Sequence, residues 1–310
     1  MNAMILAAGF GKRLLPHTLR LPKPLFPVLG GTLLQIAIQS VLRAMPGKVV
    51  VNTHHLPGKI EEYINSRDFG VEIIVTREDE ILGTAGGIKN AERWLSGDDF
   101  IVINSDIIME PPWDDLITTH KKNGAVATLA LRANPDPARY GVLKVNGGGE
   151  VTQFLDVHAP AHTKNGQALM FTGASVMSPA IFDLIPAGRA VDISSEIYKP
   201  LVTKGGVLYG VVTDSPWRDV GTTADYHATV MDALREMRES VVDAKVPASA
   251  IITSPVYIEQ GAMIGERCHL GPNVAVYEGA VIGKGARLTD CVVLPGAMVE
   301  EGEHVAECVR

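Results

Sequence analysis

The segment that decides the fold lies at the N-terminus, where residues 3–13 read Ala-Met-Ile-Leu-Ala-Ala-Gly-Phe-Gly-Lys-Arg. Its first half is short and apolar, as a buried parallel strand is. The glycines that follow let the backbone turn tightly and bring its N–H groups close to phosphate oxygens. Arg13 can bind a phosphate through two parallel hydrogen bonds, and Lys12 adds positive charge. The segment therefore predicts a strand that runs into a phosphate-binding loop.

This loop is not specific when it is considered alone. Leu14 occupies the third glycine position of a dinucleotide-binding fingerprint. Lys12 lacks the glycine spacing of a Walker loop, and no Ser or Thr follows it. A glycine turn that merely ends a strand would explain the same residues. The function therefore has to be inferred from the sequence around the loop.

Short apolar runs similar to this first strand recur along the large N-terminal part of the chain. They lie at residues 49–51, 71–75 and 100–103. Between the first two strands, the apolar residues share one face of a predicted helix over 32–45, which Thr32 can cap and Pro46 ends. Strand, helix and strand at this spacing indicate crossover units and a mostly parallel sheet. We predict an α/β domain over residues 1–240.

The C-terminal segment, residues 250–310, follows a different pattern with a period of six. A large aliphatic residue recurs at every sixth position from Ile252 to Leu294, and the residue four positions after each is mostly small. A short fixed repeat of this kind is typical of a β-solenoid, in which successive coils stack. It resembles the hexapeptide repeats of left-handed parallel β-helices. We therefore predict a short left-handed parallel β-helix, preceded by a linker over residues 239–249.

A solenoid this short exposes an end that no further coil covers. We therefore expect a homo-oligomer held at least partly by the C-terminal repeat. A hexapeptide acyltransferase is a second interpretation of the repeat, but such enzymes need more coils and a catalytic histidine near the solenoid. The tail holds only His269 and His304, so its sequence favours assembly over catalysis.

The composition of the 310 residues excludes several other classes of protein. Hydrophobic residues make up 46% of the chain, which argues against disorder, and the net charge of -7 without a basic run argues against a nucleic-acid partner. The three cysteines are an odd number without metal-site spacing, which favours reduced thiols. The N-terminal strand lacks a basic leader, and no apolar run is long enough to span a membrane. We expect a cytoplasmic protein with no membrane partner.

The phosphate loop gains specificity from the residues after it. Residues 6–18 read Leu-Ala-Ala-Gly-Phe-Gly-Lys-Arg-Leu-Leu-Pro-His-Thr, and residues 22–28 read Pro-Lys-Pro-Leu-Phe-Pro-Val. This pattern resembles the N-terminal signature of sugar-1-phosphate nucleotidyltransferases. The resemblance implies a Rossmann-like sheet with helices on both faces and the active site over its carboxyl edge. It also implies two catalytic cations, Arg13 and Lys23, of which Lys23 lies between two prolines that fix its backbone.

The same resemblance extends to the residues that bind the nucleotide. It assigns Leu6, Ala8, Gly9 and Gly11 to the nucleotide. Residues 80–87 read Glu-Ile-Leu-Gly-Thr-Ala-Gly-Gly and resemble the second base-reading loop of the family, most closely the form found in mannose-1-phosphate guanylyltransferases. By that likeness Glu80 and Gly86 lie against the nucleobase. GTP with mannose 1-phosphate or a related sugar is the favoured pair, while uridylyl transfer and heptose 1-phosphate stay open.

Two carboxylates are candidates for a magnesium site. Asp106 follows the apolar strand over residues 100–103, and ligands of parallel sheets gather at the carboxyl ends of the strands. Ser105 stands where the family usually has glycine. Asp219 lies in Trp-Arg-Asp-Val-Gly-Thr, residues 217–222, which resembles a second family element. The resemblance implies that Asp106 contacts the nucleotide and that Asp106 and Asp219 hold Mg²⁺, a hard cation that prefers oxygen ligands.

Two shorter elements resemble the walls of the family's sugar pocket. They are Tyr-Gly-Val at residues 140–142 and Phe-Thr-Gly-Ala at residues 171–174. They place Gly141, Thr172 and Gly173 against the sugar. Many relatives carry a Glu-Lys-Pro run nearby whose lysine binds the sugar phosphate, but residues 154–157 here read Phe-Leu-Asp-Val, and Lys164 is a remote substitute. The sugar therefore stays open, and an inactive regulatory homologue that binds a nucleotide sugar is an alternative of another class.

The implied reaction joins a nucleoside triphosphate to a sugar 1-phosphate. An oxygen of the sugar phosphate attacks the α-phosphorus in line, and pyrophosphate leaves. Such a transfer depends on positioning and on neutralisation of charge. Because the nucleophile is already an anion, no general base is required, and none of the nine histidines is assigned a role.

Overall fold

The computed structural model describes residues 1–160 and 166–310. Lys164 lies outside the described residues. The chain forms two compact units, and each contains two separate stretches of sequence. The first unit comprises Met1–Phe10 and Leu34–Arg218, and the second comprises Gly11–Leu33 and Asp219–Arg310.

The regular elements outside the C-terminal repeat are as follows. The strands are Asn2–Leu6, Pro27–Val28, Gly31–Thr32, Lys48–Thr53, Glu72–Arg77, Phe100–Asn104, Ile107–Met109, Ala127–Ala133, Leu143–Val145, Val151–Phe154, Val157–His158, Leu169–Met177, Leu208–Val212 and Trp217–Asp219. The α-helices are Leu33–Leu42, Pro57–Asn65, Gly83–Asn90, Glu92–Leu95, Trp113–Asn123, Pro137–Tyr140, Ile181–Leu184, Lys199–Thr203 and Thr223–Glu236. Short 3₁₀ turns occur at Lys12–Leu14, His17–Leu19 and Lys23–Leu25, and a π-helical turn at Ile193–Tyr198.

The first unit is built on a sheet whose central strand is Asn2–Leu6. This strand pairs in parallel with Phe100–Asn104 on one side and Lys48–Thr53 on the other, and Glu72–Arg77 continues the parallel part. These strands are apolar along most of their length because layers of the core cover them, and Met4 at the centre is completely buried. The predicted strands and the α/β class are confirmed.

The sheet continues beyond Phe100–Asn104 with antiparallel strands. Leu169–Met177 pairs antiparallel with Phe100–Asn104 and with Ala127–Ala133, and Leu208–Val212 lies parallel to the latter. The pairing with Ala127–Ala133 shifts register between Phe171 and Ser175. A bulge of this kind redirects side chains at one point of a strand. The shift coincides with the Thr-Gly pair that was assigned to the sugar.

The second unit contains a parallel β-helix-like tail. Its strands are Val241–Val242, Ile251–Ile252, Val256–Ile258, Met263–Ile264, His269–Leu270, Val274–Val276, Val281–Ile282, Arg287–Val293, Met298–Val299 and His304–Val309. Val256 pairs with Val274 and Ile264 with Ile282, so one coil of the tail corresponds to three hexads. The large aliphatic residues of the repeat fill the interior of the coils. The prediction of stacked parallel coils is confirmed.

The prediction of an unbroken six-residue register as far as Leu294 is wrong beyond Leu288. Leu270 pairs with Leu288, a full three hexads further along the chain, but Val274 pairs with Cys291 rather than with Val292, so this coil is shorter by one residue. The missing residue falls at the turn around Asp290, whose φ is 51°. Each inward position downstream therefore lies one residue earlier: Ala297 packs against the interior in place of the predicted Met298, which is 59% exposed.

The helix Thr223–Glu236 packs on the tail within the second unit. It begins at Thr223 because Thr222 and Asp225 form a capping box, in which each side chain accepts a hydrogen bond from the other's backbone N–H. The predicted linker contains the strand Val241–Val242, which pairs with the first coil. Among the residues that the structure describes, no helix has both the length and the apolar character that a membrane span requires.

Stacking of the coils explains why residue 283 of the repeat is glycine, and a substitution there tests the stacking. A Cβ on Gly283 would lie 2.5 Å from the backbone nitrogen of Glu301 in the next coil. We predict that Gly283→Ala lowers the free energy of unfolding of the tail by about 1–3 kcal/mol, because the coils must separate to admit a methyl group. Differential scanning calorimetry measures the shift. Gly97→Ala is the control, since no atom lies within 4 Å of its Cβ position; equal effects of both changes would contradict this packing.

Candidate functional site

The glycine loop of the first unit begins at the carboxyl end of the central strand. The backbone N–H of Ala7 donates to Asn52 Oδ1 over 2.8 Å, and Asn52 Nδ2 donates to Glu78 Oε1 over 2.6 Å. The other carboxylate oxygen of Glu78 accepts from the backbone N–H of Leu82 over 3.0 Å. We call Asn52 and Glu78 the buried relay, because both are at most 5% exposed. It ties the start of the glycine loop to the loop that was assigned to the nucleobase.

Sequence reasoning missed the buried relay. The available signal was a polar residue near the carboxyl end of two otherwise apolar runs, but the sequence alone does not show that the two meet. Their contact also explains Gly87: a Cβ there would lie 2.5 Å from Asn52 Nδ2 and 2.8 Å from Glu78 Oε1. The helix Gly83–Asn90 can approach the relay only without a side chain at this position.

The two residues assigned to the nucleobase have different surroundings. Glu80 is exposed. Gly86 is buried against the backbone of the segment that ends at Val191: a Cβ on Gly86 would lie 3.2 Å from the carbonyl oxygen of Arg189. The N–H groups of Ala85 and Gly86 both donate to the carbonyl of Val191, over 3.0 and 3.3 Å. This packing leaves little room for a side chain at position 86.

The other nucleotide candidates of the first unit lie along the carboxyl edge of the sheet. Leu6 is half-buried, Ala8 is buried and Gly9 is exposed. Asp106 is half-buried and follows the strand next to the central one, and the N–H of Ser105 before it donates to the carbonyl of Leu6. The structure therefore brings Leu6 and the Ser105–Asp106 turn together.

The sugar candidates Thr172 and Gly173 sit at the bulge of Leu169–Met177. Gly173 has φ +93°, and a Cβ there would lie 3.0 Å from Asn104 Nδ2. The hydroxyl of Thr172 donates to the carbonyl of Ala130 over 2.9 Å, and Trp217 Nε1 donates to the carbonyl of Thr172. The side chain of Thr172 thus holds the bulge, while Gly173 opens space beside Asn104.

Gly141 lies at the end of the helix Pro137–Tyr140, with φ +69°. Its carbonyl accepts a hydrogen bond from Asn134. A Cβ on Gly141 would lie 2.2 Å from the side chain of Leu155. The backbone conformation therefore favours glycine here, and a side chain would also displace the end of Leu155.

A cavity of about 120 Å³ lies beside Gly173 in the first unit. Sequence reasoning missed its polar lining and the tyrosine at its wall. The residues that contribute are Thr84, Asn104, Asp192, Ser194 and Tyr198. Tyr198 is completely buried, and this burial raises the pKa of its hydroxyl, which therefore stays protonated at neutral pH. The cavity combines apolar walls with a few convergent polar groups, as small-molecule pockets do.

Residues 154–157, which stand in place of the relatives' Glu-Lys-Pro run, form an ion pair with a nearby helix. Asp156 is exposed and pairs with the ammonium of Lys199, the first residue of the helix Lys199–Thr203. The hydrogen bond from Lys199 lowers the pKa of the Asp156 carboxyl. An ammonium therefore reaches this turn although residues 154–157 contain no lysine.

The second unit contains both candidate catalytic cations. Gly11 has φ +62°, and a Cβ there would lie 2.9 Å from Thr18 Cγ2 and 3.2 Å from Lys23 Cβ. Lys23 is only 9% exposed, so its side chain is held by its surroundings. Gly11 therefore must lack a side chain for the loop to fold against Lys23.

Arg13 and Asp219 lie against the same face of Gly221. A Cβ on Gly221 would lie 3.0 Å from Arg13 Nη1 and 3.2 Å from Asp219 Oδ2. The structure thus brings a guanidinium and a candidate metal-binding carboxylate together within the second unit, whereas Asp106 belongs to the first. Within residues 1–160 and 166–310, no group of three or more His, Cys, Asp or Glu side chains forms a ready-made metal cluster.

Comparison with known proteins agrees with these elements. Residues 2–236 match the family described as Nucleotidyl transferase, and residues 252–309 match the one described as GMPPB C-terminal domain. The chain is 30% identical over 315 residues to mannose-1-phosphate guanylyltransferase 1 of Arabidopsis thaliana, in an alignment that covers 100% of this chain and 85% of that protein. It is 28% identical over 353 residues to the UTP–glucose-1-phosphate uridylyltransferase of Synechocystis, covering 97% and 90%.

A solved structure has the same fold over the first domain. The crystal structure of HddC from Yersinia pseudotuberculosis, complexed with GMP-PN, superimposes with a TM-score of 0.62 at 22% identity, covering 74% of this chain and 98% of that one. The family match spans well over half of the chain, and the plant relative aligns along all of it. The chain therefore belongs to the nucleotidyl transferase family and is a sugar-1-phosphate nucleotidyltransferase.

Proposed function

We propose that this enzyme transfers GMP from GTP to mannose 1-phosphate or a closely related sugar phosphate. The observation that carries the proposal is the Leu-Gly-Thr-Ala-Gly segment over residues 82–86, which resembles that of mannose-1-phosphate guanylyltransferases and forms the start of the helix Gly83–Asn90. Hydrogen bonds to Glu78 and Val191 hold this segment in one conformation. A rigid base-reading loop favours one nucleobase, because its polar groups cannot rearrange to pair with another.

We assign the chemistry to positioned cations. The ammonium of Lys23 and the guanidinium of Arg13 neutralise charge on the phosphates, and the neighbouring prolines aim Lys23. Asp106 and Asp219 offer carboxylate oxygens of the kind that Mg²⁺ prefers, and both are half-buried. Bound there together with phosphate oxygens, Mg²⁺ would supply further neutralisation. The nucleotide is assigned to Leu6, Ala8, Gly9, Gly11, Glu80 and Gly86, and the sugar to Gly141, Thr172 and Gly173.

The cavity beside Gly173 supports the sugar assignment. Its polar groups, including Asn104 and Asp192, are of the kind that bind sugar hydroxyls, and the rest of its lining is apolar. We further propose that the protein acts in the cytoplasm as a homo-oligomer assembled through its C-terminal repeat. Met263 and Met298 are more than half exposed and share one column of the coils with Val281, an apolar surface that a second copy can cover.

Uridylyl transfer to glucose 1-phosphate is a second candidate function. It is supported by the similarity along 97% of this chain to the uridylyltransferase of Synechocystis. An inactive homologue that binds a nucleotide sugar is a third, suggested by the missing Glu-Lys-Pro run.

A matrix of substrates tests the proposed function. Release of pyrophosphate is measured with Mg²⁺ for GTP, UTP, CTP, dTTP and ATP, each with mannose, glucose and heptose 1-phosphates. We expect GTP with a mannose-type phosphate to give the highest kcat/KM. A higher value with UTP and glucose 1-phosphate would replace the proposal with the second candidate. Thermal stabilisation by a nucleotide sugar without any turnover would indicate the inactive homologue.

Removal of the ammonium of Lys23 tests the assigned chemistry. We predict that Lys23→Ala lowers kcat by about 10²–10³-fold, because a preorganised charge next to the phosphates is lost. Lys48→Ala is the control, since Lys48 forms a solvent-exposed pair with Glu72. Steady-state kinetics on folded variants provide the measurement. Turnover of Lys23→Ala within threefold of the parent would remove Lys23 from the mechanism.

Lys199 is the proposed replacement for the relatives' sugar-phosphate lysine. We predict that Lys199→Met raises the KM for the sugar phosphate by about tenfold, since a hydrogen bond to a charged group contributes about 1.5–3 kcal/mol, and leaves the KM for the nucleotide nearly unchanged. Lys284→Met, which removes an exposed lysine of the tail, is the matched control. Equal KM values for the parent and Lys199→Met would exclude this role.

A further inference from the structure

The segment that carries Lys23 continues into a small hairpin with a strained turn. Its strands are Pro27–Val28 and Gly31–Thr32. The two turn residues, Leu29 and Gly30, both have positive φ, 36° and 83°. Positive φ at both positions is the pattern of a type I′ turn, which glycine and asparagine favour and leucine does not. The turn therefore needs support from outside the hairpin.

Two buried tyrosines provide that support, one from the helix Thr223–Glu236 and one from the coils of the tail. Tyr226 donates its hydroxyl hydrogen to the carbonyl of Pro27 over 2.7 Å. Tyr277 donates to the same carbonyl over 3.2 Å and accepts from the backbone N–H of Leu29 over 3.3 Å. Both side chains are completely buried. We call this pair the tyrosine clamp.

The carbonyl of Pro27 depends on the tyrosine clamp because of the hairpin geometry. In an antiparallel pair, successive residues point their backbone groups alternately towards and away from the partner strand. The carbonyl of Phe26 accepts from the N–H of Leu33 across the hairpin. The carbonyl of the next residue, Pro27, therefore faces away from the hairpin, where the tyrosine hydroxyls meet it. Without them, a buried carbonyl would lose its partners.

The chain between the clamp and Lys23 has little freedom. Prolines at 24 and 27 fix two of its φ angles, and Pro22 fixes that of the residue before Lys23. The 3₁₀ turn Lys23–Leu25 is closed by hydrogen bonds from the N–H of Leu25 to the carbonyl of Pro22 and from the N–H of Phe26 to the carbonyl of Lys23. Phe26 is completely buried and packs edge-on against Tyr226, with ring centroids 5.0 Å apart. A displacement of Pro27 is therefore transmitted to Lys23.

We propose that Tyr277 is a positioning residue for nucleotidyl transfer, which holds the Lys23 segment from the C-terminal coils. This inference rests on the proposed role of Lys23. It gives the tail a function within each chain in addition to assembly. Desolvation by burial raises the pKa of both clamp hydroxyls, so they remain hydrogen-bond donors across the working range of pH.

The test removes one oxygen atom and leaves the aromatic packing intact. Tyr277→Phe is compared with Tyr63→Phe, which removes a hydroxyl that donates to Gln35 in the first unit. We expect Tyr277→Phe to lower kcat/KM by about ten- to a hundredfold, with a rise in at least one KM, since a small displacement of a positioning element has effects of this size. We expect Tyr63→Phe to stay within twofold of the parent. Hydrogen exchange should accelerate at residues 25–33 in Tyr277→Phe only.

A double-mutant cycle separates positioning from stability. If Tyr277 acts through Lys23, then Tyr277→Phe in a Lys23→Ala background causes no further loss of affinity for the nucleoside triphosphate. A lower melting temperature with unchanged KM values and unchanged exchange at residues 25–33 would reduce Tyr277 to a structural role and overturn the proposal. So would full additivity with Lys23→Ala.

Failure of the proposed function is distinguishable from failure of this inference. A parent chain that releases no pyrophosphate with any substrate pair refutes the enzymatic proposal. Exchange at residues 25–33 and affinity for the nucleoside triphosphate can still be measured in that case. Unchanged values of both in Tyr277→Phe would then overturn the positioning role on their own.

Discussion

The loops of the first unit depend on the hydrogen bonds that the buried carboxylate of Glu78 accepts. It accepts hydrogen bonds from Asn52 and from the backbone of Leu82, and Asn52 in turn binds the N–H of Ala7. One charged acceptor thus connects the ends of two neighbouring strands to the loop after the third. Hydrogen bonds to an ionised acceptor are stronger than neutral ones, and the loss of one partner leaves a buried charge unsatisfied. The glycine at position 87 follows from the space that this group requires.

The second unit holds in place a segment, residues 11–33, that has little regular structure. This segment contains three single 3₁₀ turns and one hairpin whose strands have two residues each. Few of its backbone groups are therefore hydrogen-bonded to one another within a sheet. Prolines reduce the freedom of this segment, Gly11 and Gly221 allow close approach, and tyrosines satisfy the carbonyl that faces away from the hairpin. The stiffness of the loop comes from restricted backbone angles and from the coils of the tail.

The sequence alone was sufficient to predict the parts of the structure that depend on a local period or a local motif. The apolar runs predicted the parallel strands because covered strands need no polar alternation, and the hexads predicted the coils because each repeat pairs with an equivalent one. It was not sufficient for partners distant in sequence. Asn52, Glu78 and Tyr277 are ordinary polar or aromatic residues until the fold brings them to Ala7, Leu82 and Pro27. The register shift at Asp290 was missed because apolar residues occupy both the sixfold positions and their neighbours there.

That shorter coil also determines how such a tail can be lengthened. Between Ile251 and Leu288, paired strands are separated by three complete hexads, so a duplicated coil would present the same faces as the one it copies. After Asp290 the separation is shorter by one residue, and the inward face lies one position earlier in the sequence. A duplicated coil that crosses this point would bury polar residues and expose aliphatic ones unless the copy were also shorter by one residue. The coils from Ile251 to Leu288 are therefore modular units.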